Sequence, residues 1–167
     1  MLLMLGALLE AGRAAVVSCI VIGIGNELCA DDGVGQAVVR QLQAEGVAGA
    51  VAVAAGCPGL GLLDLLAGYD RAILVDAVVS GAPPGTVHRF GLGDLPDRSL
   101  LPLSLHGLNA IDALALGQVV SPEALPREVI IVGVEIADRT PFREGLSPAV
   151  AAAVGSAADA VKKAVTL

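Results

Sequence analysis

Three stretches of the chain are almost continuously apolar and rich in β-branched residues: Val16–Ile24, Arg71–Val79 and Val129–Ile136. Buried strands of parallel sheets have this pattern, so the three stretches predict strands, and the first predicts a central parallel strand. A shorter segment, Ala48–Ala54, predicts another strand. The alternating residues of Thr86–Phe90, which follow a turn rich in Gly and Pro, are typical of an edge strand.

Four segments have the apolar spacing of helices. They are Gly33–Glu45, Leu60–Ala67, Leu108 to about Gln118, and Pro148–Val165. Strands and helices in this alternating order predict an α/β fold, a three-layer α/β/α sandwich with a mostly parallel sheet and one antiparallel edge strand. The sequence has no internal repeat or interdomain linker, so we expect one domain over residues 16–167 and an N-terminal extension over residues 1–15.

The amino-acid composition argues against some classes of binding partner. The 167 residues carry a formal net charge of -7 and only 2% aromatic side chains, which disfavours binding to nucleic acid. Three cysteines without paired spacing favour a reducing, cytoplasmic location. The apolar run Met1–Leu9 has no basic residues before it and is shorter than the roughly 20 residues of a membrane-spanning helix, so we expect no membrane segment.

The loop after the first strand lies where open α/β folds bind their ligands. It reads Gly23-Ile24-Gly25-Asn26-Glu27-Leu28-Cys29-Ala30-Asp31-Asp32-Gly33-Val34-Gly35. Gly23 and Gly25 fit the start of a dinucleotide-binding G-x-G-x-x-G turn, but Leu28 occupies the third glycine position. A nucleotide-binding domain is therefore an alternative with incomplete support.

Two adjacent carboxylates, Asp31 and Asp32, distinguish this loop further. They would repel a phosphate, and a single aspartate could be explained as a helix cap. Both stand near Asn26 and between Gly25 and Gly33, which exceeds what a cap requires. We therefore expect at least one of them to bind a ligand.

Asp76 and His106 are the other candidates for this site. Asp76 ends an apolar strand, where a buried carboxylate needs a cation, a donor or solvent, although a surface aspartate at a strand end is also common. His106 precedes a predicted helix and could be an ordinary loop histidine. The second histidine, His88, lies in the predicted edge strand at a position expected to face solvent. With Asp32, two carboxylates and one imidazole form a set that suits a borderline divalent metal.

These residues resemble the hydrogenase maturation proteases, endopeptidases that finish the large subunit of nickel-iron hydrogenases. The resemblance covers roughly Val16 to Val165. Its carriers are the G-x-G-N-x-L-x-x-D-D-G-x-G run of residues 23–35, the V-D-A of residues 75–77, the S-x-H of residues 104–106 and the G-L-S-P-x-V of residues 145–150. In the last motif, Ser147 would be the N-cap of the final helix and Pro148 its first residue.

The resemblance implies that Asp32, Asp76 and His106 bind nickel. It also implies a partner, the nickel-loaded precursor of a hydrogenase large subunit, from which a C-terminal extension is cut. No serine or cysteine nucleophile with a paired base is evident, so we expect an activated water to attack, with Asp32 or Asp76 as the candidate base.

The chain departs from the family at one place. Relatives often carry an acidic residue in a D-G-G-T-like segment after the second strand, where this chain has Ala54-Ala55-Gly56-Cys57. A non-catalytic, metal-binding accessory factor is therefore a further alternative. Cys29 and Cys57 lie in loops that could face the metal, although small residues filling a tight loop explain both more simply.

Overall fold

The predicted strands form one mixed sheet in a computed structural model, which describes residues 18–94 and 109–167. The strands are β1 Cys19–Ile24, β2 Ala50–Gly56, β3 Arg71–Val78, β4 Val87–Gly91 and β5 Glu128–Glu135. Their order in the sheet is β2-β1-β3-β5-β4. The boundaries lie within two residues of those predicted, apart from Val16 and Val17, which fall outside the described residues.

The pairing directions bring four strand ends to one edge. β1 pairs in parallel with β2 and β3, and β3 pairs in parallel with β5. β4 runs antiparallel to β5 at the border of the sheet, which confirms the predicted antiparallel edge strand. The loops that follow β1, β2, β3 and β5 therefore gather at the carboxyl edge of the sheet, where ligands of open α/β folds bind.

Helices cover both faces of the sheet, which confirms the three-layer prediction. They are α1 Val34–Glu45, α2 Gly61–Leu66, α3 Ala110–Val120 and α4 Pro148–Val165, with 3-10 turns at Ala30–Gly33, Leu92–Asp94 and Pro122–Ala124. α1 and α4 contribute to one apolar core and α2 and α3 to the other. Within the described ranges, no helix is both long enough and apolar enough to span a membrane.

Burial on both faces explains the continuous apolar run of β1. Cys19 and Val21 face the core under α1 and α4, whereas Ile20, Ile22 and Ile24 face the core under α2 and α3. Because side chains alternate between faces, a strand covered by helices on both sides has no solvent-facing position to fill with polar residues. This strand carries the functional loop directly from its buried end.

The prediction that His88 faces solvent is wrong. Its side chain is 29% exposed, and Nε2 lies 3.2 Å from Oε2 of Glu135. His88 pairs with Gly133, two residues before Glu135, so both polar side chains lie on the same face of the sheet. A Cβ at Gly133 would lie 2.6 Å from Cγ1 of Val78, so glycine at this position makes room for the Val78 side chain.

Candidate functional site

Gly25 sets the path of the loop that leaves β1. Its φ is +128°, and an added Cβ would lie 1.8 Å from the carbonyl oxygen of Asp32. Its amide donates to the carbonyl of Gly56 at 2.9 Å, and its carbonyl accepts from Nε2 of Gln36 at 2.7 Å. Only glycine fits this conformation and this approach, so the loop is held against both β2 and α1.

Two other glycines of the motif bring α1 against β1. A Cβ on Gly23 would lie 2.4 Å from the carbonyl oxygen of Gly35, and one on Gly35 would lie 2.2 Å from that of Ile24. These glycines therefore permit close packing of helix and strand. This packing explains why residue 23 is a glycine, so a bound pyrophosphate is not needed to explain it. The nucleotide-binding alternative is weaker as a result.

Asp32 lies in the 3-10 turn between this loop and α1. Its Oδ2 accepts a hydrogen bond from the amide of Asn26 at 2.9 Å, while Oδ1 has no partner among the described residues. The Asn26 side chain in turn accepts from the amide of Leu28 and donates to Sγ of Cys29. Asp32 is not the cap of α1, because Gly33 occupies the N-cap position. One carboxylate oxygen is thus fixed by the loop and the other is available to a ligand.

Asp76 has a perturbed carboxyl group at the end of β3. Its Oδ1 accepts from the amide of Ala77 at 2.8 Å, and Oδ2 has no hydrogen bond within the described ranges. Desolvation raises the pKa of Asp76 to about 6; the Ala77 hydrogen bond opposes this effect and the negative charge of Asp32 adds to it. The two carboxylates are therefore close enough to interact, as the strand directions led us to expect.

Cys57 joins the same group of side chains from the end of β2. Desolvation raises the pKa of its thiol, and the charges of Asp32, Asp76 and Cys29 raise it further. A thiol in such surroundings stays protonated at neutral pH, which is the opposite of an activated nucleophile. Among the residues that the structure describes, no three Cys, His, Asp or Glu side chains form a set that could hold a metal ion.

Asp31 has a different role from Asp32, because it is completely buried. Its Oδ1 accepts from the amide of Ser147 at 2.6 Å, and its Oδ2 accepts from the Ser147 hydroxyl at 3.0 Å and from the amide of Asp138 at 3.2 Å. Ser147 is the N-cap of α4 and Pro148 lies in its first turn, as predicted. The Ser147 hydroxyl, however, bonds Asp31 instead of capping the helix. Asp31 thus joins the β1 loop to the loop that follows β5.

A groove of about 670 Å³ extends from this site between the two joined loops. On one wall, Glu27 and Arg40 form an ion pair with two hydrogen bonds. Asp32 and Asp76 do not line the groove, but two lining residues interact with them: the Asn26 amide donates to Asp32, and the charges of both aspartates act on the Cys57 thiol. The lining residues are Gly25, Asn26, Glu27, Leu28, Gln36, Arg40, Gly56, Cys57, Glu144 and Gly145.

Sequence reasoning did not single out Gln36 or Glu135. Gln36 is buried and one helical turn before buried Val39, so its place on the apolar face of α1 was the available signal. Glu135 is 1% exposed and accepts from the amides of Ser80 and Gly81, the Ser80 hydroxyl and the His88 ring. Desolvation acts to raise the pKa of Glu135, but these hydrogen bonds outweigh it and hold the pKa below its usual value.

The third predicted metal ligand lies outside the described residues. His106 and Ser104 fall between residue 94 and residue 109, as does the start of the predicted helix at Leu108. The extension at residues 1–15 lies outside the described part of the chain as well. The structure thus brings together Asp32, Asp76, Asn26 and Gly25 from the predicted site, whereas Asp31 is buried and bonded to Ser147 and Asp138.

The five-stranded mixed sheet with helices on both faces matches the fold of a solved α/β endopeptidase. The solved hydrogenase maturating endopeptidase HybD from E. coli is similar, with a TM-score of 0.73 and 27% identity over 89% of this chain and 92% of that one. The family model for hydrogenase maturation proteases matches residues 36–164, a range that includes Asp76 and His106 and begins after Asp32. The chain belongs to the hydrogenase maturation protease family.

Two curated relatives extend the comparison. HupD of Thiocapsa roseopersicina, a hydrogenase expression/formation protein, is 31% identical over 77% of this chain and 59% of its own length. HupM of Azotobacter chroococcum mcd 1, described in the same way, is 32% identical over 84% of this chain and 71% of its own length. This chain thus spans less than two thirds of the HupD relative.

Proposed function

We propose that this protein is an endopeptidase that removes the C-terminal extension of a nickel-loaded hydrogenase large-subunit precursor. Membership of the hydrogenase maturation protease family supports the class of reaction. The observation that carries the proposal is the interacting pair of carboxylates, Asp32 and Asp76, each with one oxygen held by the backbone and one without a partner among the described residues.

Asp76 is the proposed general base. A carboxylate whose pKa is raised to about 6 accepts a proton more readily than an ordinary aspartate and is still mostly ionised at pH 7. It takes a proton from water as the water oxygen attacks the scissile carbonyl carbon. The same proton then passes to the departing amide nitrogen as the C–N bond breaks. Asp32, held by Asn26, stabilises the protonated form of Asp76 through its charge.

Nickel enters this proposal as part of the substrate. Asp32 and Asp76 supply oxygen donors, and a divalent cation held by them would favour the ionised form of Asp76, which desolvation and the charge of Asp32 disfavour. We propose His106 as the third contact, on the strength of the S-x-H motif. The metal of a loaded precursor would then report that insertion is complete, since an empty precursor would lack the bridge to these ligands.

Ala54 and Ala55, at the carboxyl end of β2, bear on an alternative function. Ala54 packs with the core under α1 and α4, and Ala55 with the core under α2 and α3. Neither can supply the acidic group that relatives often carry, so Asp32 and Asp76 must suffice for chemistry. If they do not, the chain would be an accessory factor that binds the precursor without cutting it.

The three cysteines support the proposed location. Cys19, Cys29 and Cys57 are all free, and Cys57 is exposed. An unpaired, accessible thiol suits a reducing compartment, so we propose the cytoplasm as the place of action.

Incubation with nickel-loaded and nickel-free precursor, followed by mass spectrometry, tests the proposal. We expect loss of the C-terminal extension from the loaded precursor only. Asp76→Asn should abolish the mass loss, whereas Asp159→Asn, an exposed site on α4, should not. Binding of the precursor without any mass loss would establish the accessory function instead. Full activity of Asp76→Asn would refute the catalytic assignment.

A further inference from the structure

Phe142 is a large aromatic side chain that the fold leaves in solvent. It is 95% exposed, in a chain with two Phe, one Tyr and no Trp. It lies in the loop between β5 and α4, next to Glu144 and Gly145, which line the groove. Aromatic side chains exposed beside a binding groove are frequent anchors of protein interfaces.

The backbone of Phe142 is strained as well. Its φ is +59°, and Ala30 is the other non-glycine residue in the described ranges with a positive φ. Both residues lie where the loop after β1 meets the loop after β5. There the Ala30 amide donates to the carbonyl of Arg143 at 2.7 Å, and the Arg143 amide donates to the carbonyl of Leu28 at 3.2 Å. Strain of this kind persists only where surrounding contacts determine the conformation.

The same pair of loops carries a second exposed apolar residue. Cys29 and Arg143 form a parallel bridge, so Leu28 and Phe142, the residues that precede them, adjoin the same bridge. Leu28 is 49% exposed and lines the groove. Two exposed apolar residues therefore adjoin the bridge between the loops that line the groove.

The loop that carries Phe142 is held rigidly. Asp138 accepts from the amide and hydroxyl of Thr140 and from the Arg143 guanidinium. Buried Asp31 fixes both ends of the loop through Asp138 and Ser147. A preorganised side chain loses little entropy when a partner binds, which favours its use as an anchor.

Charge beside this surface indicates what the partner carries. Glu144 is exposed and has no cationic partner among the described residues, whereas Glu27, which also lines the groove, is already paired with Arg40. With a formal net charge of -7, the chain as a whole also favours basic partners. The unpaired carboxylate is thus available to a cation of the bound protein.

We propose that Leu28, Phe142 and Glu144 form a docking surface for the precursor protein. It takes a segment in which an apolar side chain packs on Leu28 and Phe142 and a neighbouring Lys or Arg pairs with Glu144. This inference rests on the proposed function, because it assigns the substrate contact of the same site. The surface lies outside the carboxylate pair, so it contributes to binding and not to the chemical step.

Steady-state cleavage of nickel-loaded precursor tests the surface. Phe142→Ala should raise KM about tenfold and leave kcat within about twofold of the wild type. Glu144→Gln should raise KM about threefold and weaken its dependence on salt. Val119→Ala shortens an exposed apolar side chain near the end of α3 and should change neither constant. An unchanged KM for Phe142→Ala would overturn the proposal.

Two further measurements separate this proposal from misfolding and from the proposed function. Phe142→Gly should raise KM like Phe142→Ala while raising the thermal midpoint, because glycine relieves the positive φ. If wild-type protein cleaves no precursor, the endopeptidase proposal fails, and calorimetric titration with the same precursor still tests the surface. A tenfold weaker affinity of Phe142→Ala would then support it, and equal affinity would refute it.

Discussion

Asp31 and Ser147, 116 residues apart in the chain, are joined by two hydrogen bonds: the Ser147 amide donates to Oδ1 of Asp31 at 2.6 Å, and its hydroxyl donates to Oδ2 at 3.0 Å. This link connects the loop after β1 with the start of α4. It fixes the loop that presents Phe142 relative to the turn that presents Asp32. The geometry of the groove therefore depends on a buried carboxylate that takes no part in the proposed chemistry.

Replacing either Asp31 or Ser147 by alanine should destabilise the protein, and the loss should be larger at Asp31. We expect Asp31→Ala to lower the free energy of unfolding by about 3 kcal/mol, because three donors lose a charged acceptor. Ser147→Ala should cost about 1 kcal/mol, since the backbone donor remains. Urea titration measures both, and the double variant should cost less than the sum because the residues share contacts.

Ser156→Ala, on the exposed side of α4, is the matched control for Ser147→Ala. It should be neutral or stabilising by about 0.5 kcal/mol, because alanine is the better helix former. Equal stability losses at positions 147 and 156 would contradict the assigned role of the Asp31 link.

Asp76→Asn should stabilise the metal-free protein at neutral pH. Because folding raises the pKa of Asp76 from 3.8 to about 6, the ionised group opposes folding above that pH. The amide keeps an oxygen for the Ala77 hydrogen bond and carries no charge. We expect a gain of about 2 kcal/mol at about pH 8, less than for a fully buried carboxyl because Asp76 is half-buried.

The stability difference between Asp76→Asn and the wild type should depend on pH. Between pH 6 and 4 the wild-type carboxyl becomes protonated in the folded state, so its stability should rise toward that of the variant. Below about pH 4 the two proteins should unfold alike. Thermal unfolding of Asp76→Asn and the wild type across this pH range measures the difference. If the variant were less stable than the wild type at neutral pH, Asp76 would not be desolvated.

Gly25→Ala should disrupt the loop after β1. The added Cβ would meet the Asp32 carbonyl at 1.8 Å, and a φ of +128° is unfavourable for alanine. We expect a loss of at least about 3 kcal/mol in the free energy of unfolding, together with loss of precursor cleavage.

Gly155→Ala provides the comparison for this substitution. Gly155 lies in α4 with open space around the position of a Cβ, so alanine should stabilise the protein by roughly 0.5–1 kcal/mol. Chemical denaturation of both variants, beside cleavage rates, checks the contrast. A tolerated alanine at position 25 would be incompatible with the backbone described.

Glu135→Gln should lower the thermal midpoint at neutral pH. The amide group of glutamine would present hydrogens to donors from Ser80 and His88 that now share the carboxylate. Because hydrogen bonds hold the pKa of Glu135 below 4.5 against desolvation, its contribution is present above that pH and is lost as the pH falls through the folded pKa. The difference between variant and wild type should therefore shrink in acid.

Differential scanning calorimetry between neutral and acid pH measures this effect. Glu123→Gln, on the exposed 3-10 turn after α3, should follow the wild-type curve throughout. A constant difference between Glu135→Gln and wild type down to the lowest pH would mean that the carboxylate charge does not matter.

The sequence alone was sufficient for the layers and for the edge at which the site lies. Apolar runs such as Val129–Ile136 indicate strands that are buried on both faces. The helix boundaries follow from periodicity, from Gly68 after the second helix and from Pro148 at the start of the last one. These signals are local in the sequence, so they can be interpreted without the tertiary structure. Asp32 and Asp76 could be assigned to one edge because parallel strands end together.

What the local pattern could not supply was the partner of each polar side chain. The adjacent aspartates are equivalent in sequence, yet Asp31 is buried against Ser147 whereas Asp32 faces Asp76. His88 fits an exposed edge strand until Glu135 and Gly133 are placed beside it. The sequence determined the order of elements and the candidate carboxylates. The tertiary structure decided which carboxylate is structural and which is available, because hydrogen-bond partners and desolvation depend on residues that are far apart in the chain, such as Asp31 and Ser147.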